Sequence, residues 1–97
     1  MDIAHALKLA LSTGRVKVGL EESLASARAR EAKLLIVSST CPDAELRKAK
    51  KSGEVPIYHY EGNAAELGAA CGKPFPISTL AVIDAGTSAI LSVETAA

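Results

Sequence analysis

Aromatic side chains are scarce in this sequence: it has two tyrosines, one phenylalanine (Phe75) and no tryptophan. The interior must therefore be aliphatic, built from Ala, Leu, Ile and Val, which suits helices lying close against a sheet. Excess charge is lacking too, because 11 basic residues match 11 acidic ones. A general nucleic-acid coat is disfavoured by that balance, since non-specific affinity comes from counterions released from phosphates. A small specific site with local positive charge remains open. No apolar run approaches the length of a membrane span. Met1-Asp2-Ile3 lacks the basic start and apolar run of a secretion signal. The cysteines, Cys41 and Cys71, form no C-x-x-C pair, so free thiols in a reduced, cytoplasmic setting are expected.

Catalytic signatures are missing as well. There is no phosphate-cradling G-x-x-x-x-G-K-[ST] and no G-x-S-x-G. His5 and His59, the two histidines, show no ligand spacing, and zinc needs three or four clustered ligands. Neither a metal nor another cofactor is expected. No repeat, linker or low-complexity stretch divides the chain, so residues 1–97 read as one domain.

What is present alternates between two periodicities. Asp2 to Thr13 places Ile3, Leu7 and Leu11 on one helical face, with Asp2 as cap and Gly14 offering a left-handed end. Arg15 to Val18 alternates as a short strand, and Gly19 breaks it. A second helix is expected from about Leu20 to Arg30, with Leu20, Leu24 and Ala27 inward and Glu21 and Glu22 at its positive end. Lys33 to Ser38 contains Leu34-Leu35-Ile36-Val37, the continuous apolar run of a strand covered on both faces. Pro42-Asp43 opens a short third helix carrying Arg47, Lys48, Lys50 and Lys51, closed by Gly53.

Pro56 to Tyr60 then reads as a strand. Asn63 and Glu66 form a capping-box pattern for a fourth helix ending near Gly72. Thr79 to Asp84 is a further strand, followed by a turn at Ala85-Gly86-Thr87. Ser88 to Val93 can add a last short strand, with Glu94 to Ala97 a loose tail. This density of alternation predicts an α/β fold, a three-layer α/β/α sandwich around a four-stranded mixed core sheet.

Few side chains stand out chemically. Cys41 lies between a strand and a helix, where a helix N-terminus can activate a thiol, or where a small residue simply suits the turn. Cys71 reads as packing. No nucleophile, base and orienter can be assembled, so a non-enzyme is expected. The basic cluster on the third helix is either a solvated face or a phosphate contact. Lys73 and Phe75 sit in a stiff loop with Gly72, Pro74 and Pro76. One cation and one ring there can meet a phosphate and cover a base, or Phe75 can plug the core.

The order of segments is more specific than any of these residues. Thr13-Gly14-Arg15-Val16-Lys17-Val18-Gly19, Ala32-Lys33-Leu34-Leu35-Ile36-Val37, Tyr60-Glu61-Gly62-Asn63, Glu66-Leu67-Gly68-Ala69-Ala70-Cys71-Gly72-Lys73 and Leu80-Ala81-Val82-Ile83-Asp84-Ala85-Gly86 follow one another. These blocks resemble the L-thirty-e type of large-subunit ribosomal protein, within the L-seven-Ae kink-turn RNA-binding superfamily, over roughly residues 3 to 93. With no eukaryotic basic extension, the chain looks like the archaeal form. The resemblance implies an α/β/α sandwich that acts as a structural constituent of the large ribosomal subunit. Three loops at one end of the sheet would bind a bent rRNA internal loop. The implied site comprises Gly19, Leu20, Glu21 and Ser23 on the first loop, Ser39, Thr40 and Cys41 on the second, and Lys73, Phe75, Pro76 and Ile77 on the third. Lys48 would add a phosphate contact from the third helix. The implied partners are large-subunit rRNA and neighbouring ribosomal proteins, with a monomer before assembly, no membrane contact and a cytoplasmic location on the ribosome.

The chain departs from the family pattern on that same face. Relatives commonly carry Lys or Arg where Glu21 stands, often Asn where Thr40 stands, and frequently Arg where Pro76 stands. The segment between Pro42 and Tyr58 is about two residues short of the family pattern. These differences support an alternative, a non-ribosomal paralogue acting as an adaptor or binder of another RNA with weakened kink-turn affinity.

Overall fold

The structure is a computed structural model and describes residues 2–92. Helix α1 (Ile3–Thr13) is followed by β1 (Arg15–Val18), α2 (Leu20–Arg28), β2 (Leu34–Val37), α3 (Ala44–Lys48), β3 (Lys51–Ser52), β4 (Val55–His59), α4 (Ala64–Ala70) and β5 (Thr79–Asp84). A 3₁₀ turn over Ile90–Ser92 stands where a last strand was expected. Val93 and the expected loose tail, Glu94 to Ala97, lie outside the described residues.

The strands form one mixed sheet in the order β1-β5-β2-β4-β3. β2 and β4 run parallel, and β5 is antiparallel to both β1 and β2. The expected four-stranded core is there, and the two-residue β3 adds a fifth strand at its edge, antiparallel to β4. Side-chain alternation divides the core between the two faces. Leu34, Ile36, Leu80 and Val82 pack with Leu7, Ala10, Leu67 and Ile90 in one cluster. Leu35, Val37, Ile57 and Ala81 pack with Ala32 and Leu46 in the other. Helices on both faces explain why β2 is buried at every position.

Three local expectations need correction. Gly14 ends α1 with extended backbone, φ −115°, not a left-handed turn. A Cβ there would instead run into the Asp84 carbonyl, so close chain approach is what requires glycine. Helix α2 stops at Arg28, and its buried residues are Ser23 and Ser26, with Leu20, Leu24 and Ala27 only partly covered. Small side chains let that helix sit tight on the sheet and leave its larger residues at the rim. Helix α3 ends at Lys48, so Lys50 lies in the connector and Lys51 on β3. His59 holds that early end, its Nε2 lying 2.7 Å from the Ala49 carbonyl oxygen.

Candidate nucleic-acid interface

The strand register pairs Val18 with Leu80, Val37 with Thr79, and Val37 with His59. The ends of β1, β2 and β4 and the start of β5 therefore share one edge of the sheet. The loops expected to form a site all leave from that edge. The Gly19 amide donates to the Thr79 carbonyl at 2.9 Å, and the Ser38 amide to the Ser78 carbonyl at 2.9 Å. Cys41 Sγ lies 3.2 Å from Thr79 Oγ1. Thr40 Oγ1 accepts from the Ala64 amide at 3.0 Å, while the Ala64 carbonyl accepts from Ile77 N–H at 2.9 Å. One bonded lattice thus ties the three loops together.

The first loop delivers the backbone of α2 to this face. Gly19 has φ +108°, a conformation that L side chains rarely adopt, and the space beside its Cα is open. It makes no side-chain cap, whereas Asp2, Asp43 and Asn63 cap α1, α3 and α4 through their carboxylate or amide oxygens. No side chain thus takes up the first amides of α2, which stay open to an acceptor at the positive end of a nine-residue helix. Glu21 and Glu22 project from that turn into solvent. They suit the helix dipole but reduce its pull on a phosphate.

The third loop is positioned by the end of α4. Gly72, at φ +76°, donates to the Ala69 carbonyl and Lys73 N–H donates to the Gly68 carbonyl, a Schellman ending. Lys73 and Pro76 are exposed, and Phe75 stands 49% exposed, so it is not a core plug. Ala65, Lys73, Pro74, Phe75 and Pro76 form a shallow depression of about 260 Å³. Gly68 lets α4 approach this loop: a Cβ there would overlap the Phe75 carbonyl oxygen.

Among the implied site residues, Ser39 and Thr40 are exposed and Gly19 and Leu20 half-buried. Ser23, Cys41 and Ile77 are buried beneath the surface. Lys48 is exposed in the last turn of α3, and no hydrogen bond or ion pair among the described residues joins it to the loops. Its neighbour Arg47 lies closer to them. With Val37, Ser38, Ser39, His59 and Tyr60 it lines a groove of about 280 Å³ beside the second loop. Sequence reasoning missed this groove because Arg47 and Tyr60 come to line one space only through the parallel pairing of β2 with β4 and the His59–Ala49 contact that draws the end of α3 to β4.

Burial raises three groups near this face. The Cys71 thiol is pushed up to about 11 by desolvation, with Lys73 pulling the other way. Tyr60 is raised by burial and by the Glu66 carboxylate, and Tyr58 by burial and by Glu61. Among the described residues no group of three or more His, Cys, Asp or Glu side chains is placed to hold a metal ion.

An α/β/α sandwich with three hydrogen-bonded loops at one sheet edge, an open helix start and an exposed ring defines a small binding module. Residues 1–92 match the Ribosomal protein L7Ae/L30e/S12e/Gadd45 family, and the chain belongs to it. Among its relatives is the large ribosomal subunit protein eL30 of Methanothrix thermoacetophila, 44% identical over 92 residues, covering 95% of this chain and 88% of the relative. The protein of the same name from Methanosarcina mazei is 38% identical, with the same coverage. That of Methanosphaerula palustris is 34% identical over 96 residues, covering 99% of this chain and all of the relative.

Proposed function

We propose that this chain is a structural component of the large ribosomal subunit that binds rRNA through the three-loop edge and performs no catalysis. The observation that carries this reading is the uncapped start of α2, bonded through Gly19 to Thr79 at the sheet edge that the loop bearing half-exposed Phe75 and exposed Lys73 leads into. Open amides meet phosphate oxygens, a lysine adds charge, and a ring on a proline-stiffened loop covers an unpaired base. The full-length relatives, each named as a large-subunit protein, favour this reading over the non-ribosomal paralogue.

Within it, Gly19, Leu20 and Glu21 bring the α2 backbone to the RNA, and Ser39 and Thr40 offer hydroxyls at the second loop. Thr40 Oγ1 already accepts from Ala64, which leaves its proton to donate. Pro76 fixes the loop that Phe75 extends from. Ser23, Cys41 and Ile77 act from below as packing that holds the loops in place. Lys48 adds long-range attraction. The protein is a monomer before assembly, docks beside other ribosomal proteins, and resides on the cytoplasmic ribosome. No described helix is long and apolar enough to cross a membrane.

Sedimentation of native lysate tests the assignment. The protein should travel with the large subunit at low salt and be stripped from it as salt rises. A protein found only in the soluble fractions at low salt would overturn the ribosomal role.

A further inference from the structure

The opposite end of the sheet carries a second surface. Its groove, of about 530 Å³, lies between the end of α2 and the β3–β4 hairpin. Ala27, Ala32, Val55 and Pro56 contribute apolar lining, and Arg28, Arg30 and Lys33 contribute cations against the single carboxylate of Glu54. All three cations are exposed, and no carboxylate among the described residues pairs with them.

Two further observations make this more than a solvated patch. The first is the backbone of Arg30, with φ 60°, the one non-glycine residue among those described to adopt positive φ. Arg30 N–H donates to the Ala27 carbonyl and Glu31 N–H to the Ser26 carbonyl, the same Schellman ending that closes α4. At α4 the left-handed position is Gly72, which adopts it freely. At α2 an arginine occupies it against its steric preference and stands over the groove.

The second observation is the distribution of charge. The loop edge carries Glu21, Glu22, Asp43, Glu45, Glu61 and Glu66 against Arg47, Lys48, Lys73, Lys17 near the end of β1 and Lys8 beside Gly72, a near balance. The other end carries Arg15, Arg28, Arg30, Lys33 and Lys51 against Glu31, Glu54 and Asp84. The excess of cations thus lies away from the loops, at the end that holds the groove.

We propose that the groove formed by Arg28, Arg30 and Lys33 is a second RNA contact, which grips the phosphate backbone of a duplex segment separate from the one held by the loops. Planar guanidinium groups bond phosphate oxygens in pairs, and the apolar floor accommodates the sugar edge. Six-residue β5 spans the two ends, roughly 20 Å at about 3.3 Å per residue. One protein can therefore join two RNA segments. The duplex contact itself does not depend on the loop-edge function; the bridging role rests on it.

The test uses two short RNAs: a plain duplex without an internal loop, labelled, and an unlabelled kink-turn hairpin. Wild-type protein is titrated with the duplex at low salt, alone and after saturation with the hairpin, and the titrations are repeated with the triple variant R28A/R30G/K33A. Arg30→Gly suits the backbone, so thermal stability should hold or rise, as melting will show. The groove predicts duplex binding by the wild type, retained when hairpin is present, and weakened at least tenfold in the variant. The slope of log K against log salt should become shallower by about 2–3, at roughly 0.9 for each of the three cations removed. Hairpin affinity should stay within about twofold. Equal duplex binding by variant and wild type, displacement of the duplex by hairpin, or no duplex binding at all would overturn the proposal, as would tighter groove binding to oligoglutamate than to duplex. If the hairpin fails to bind while the duplex binding still depends on the groove, the loop-edge reading falls and the groove stands.

Discussion

At the scale of single residues, burial raises the Cys71 thiol and the Tyr58 and Tyr60 hydroxyls. Cys71 is 5% exposed and its thiol is raised from the ordinary 9.0 to about 11. The folded state thus holds that proton more tightly than the unfolded chain does. Its contribution is complete below pH 9 and is lost as pH rises through 11. Chemical denaturation at pH 8 and pH 11 should show that loss, and Cys71→Ala should flatten the difference; an equally steep fall in the variant would assign it to other groups. Cys41, placed by its sequence context where a thiol can be activated, is 1% exposed and bonded to Thr79. It is a packing residue of the loop lattice. The residue left least legible by sequence was Arg30. Its identity gives no hint of positive φ, because the Schellman bonds that impose it come from Ala27 and Ser26 upstream. The cost of that conformation is about 1–2 kcal/mol.

At the scale of elements, local signals were read correctly wherever the cause is local. The capping box of α4 is present in full: Asn63 Oδ1 accepts from Glu66 N–H at 2.8 Å and Glu66 Oε1 from Asn63 N–H at 3.1 Å. β2 is the continuous buried run its composition implied. Errors arose where tertiary contacts decide. The run Arg47 to Lys51 has helical propensity, yet His59 from β4 binds the Ala49 carbonyl and β4 draws Lys51 into a strand pair. Ile90, expected on a last strand, is fully buried in the α1–α4 layer instead.

The same dependence makes the α4–loop contact testable. Replacing glycine by alanine inside an exposed helix gains about 1 kcal/mol. Gly68→Ala should instead destabilise by roughly 2 kcal/mol or more, because its Cβ must displace the Phe75 carbonyl. It should also weaken RNA binding by shifting the ring. A variant more stable than wild type in denaturant would show that the loop moves aside freely.

At the scale of the whole molecule, composition excluded more than it assigned. Neutral net charge ruled against a general coat, but not against a local cluster of cations such as Arg28, Arg30 and Lys33. The sandwich was legible from alternation alone, and the family from the order of short blocks. Which loops meet was not legible, because Gly19, Thr40 and Lys73 are brought to one edge only by the β1-β5-β2-β4 order. With an acidic first turn of α2 at that edge, the proposed interface would rely on open amides and a stacked ring more than on net charge.

Titration of a generic kink-turn RNA with wild-type protein and with Phe75→Ala, across a series of salt concentrations, tests this claim most directly. Wild-type protein should bind at micromolar or tighter affinity, with a clear loss as salt rises, and Phe75→Ala should lose about 1–3 kcal/mol at every salt, since stacking is not screened. Absence of binding by the wild type at low salt, or equal binding by the two proteins, would contradict the claim.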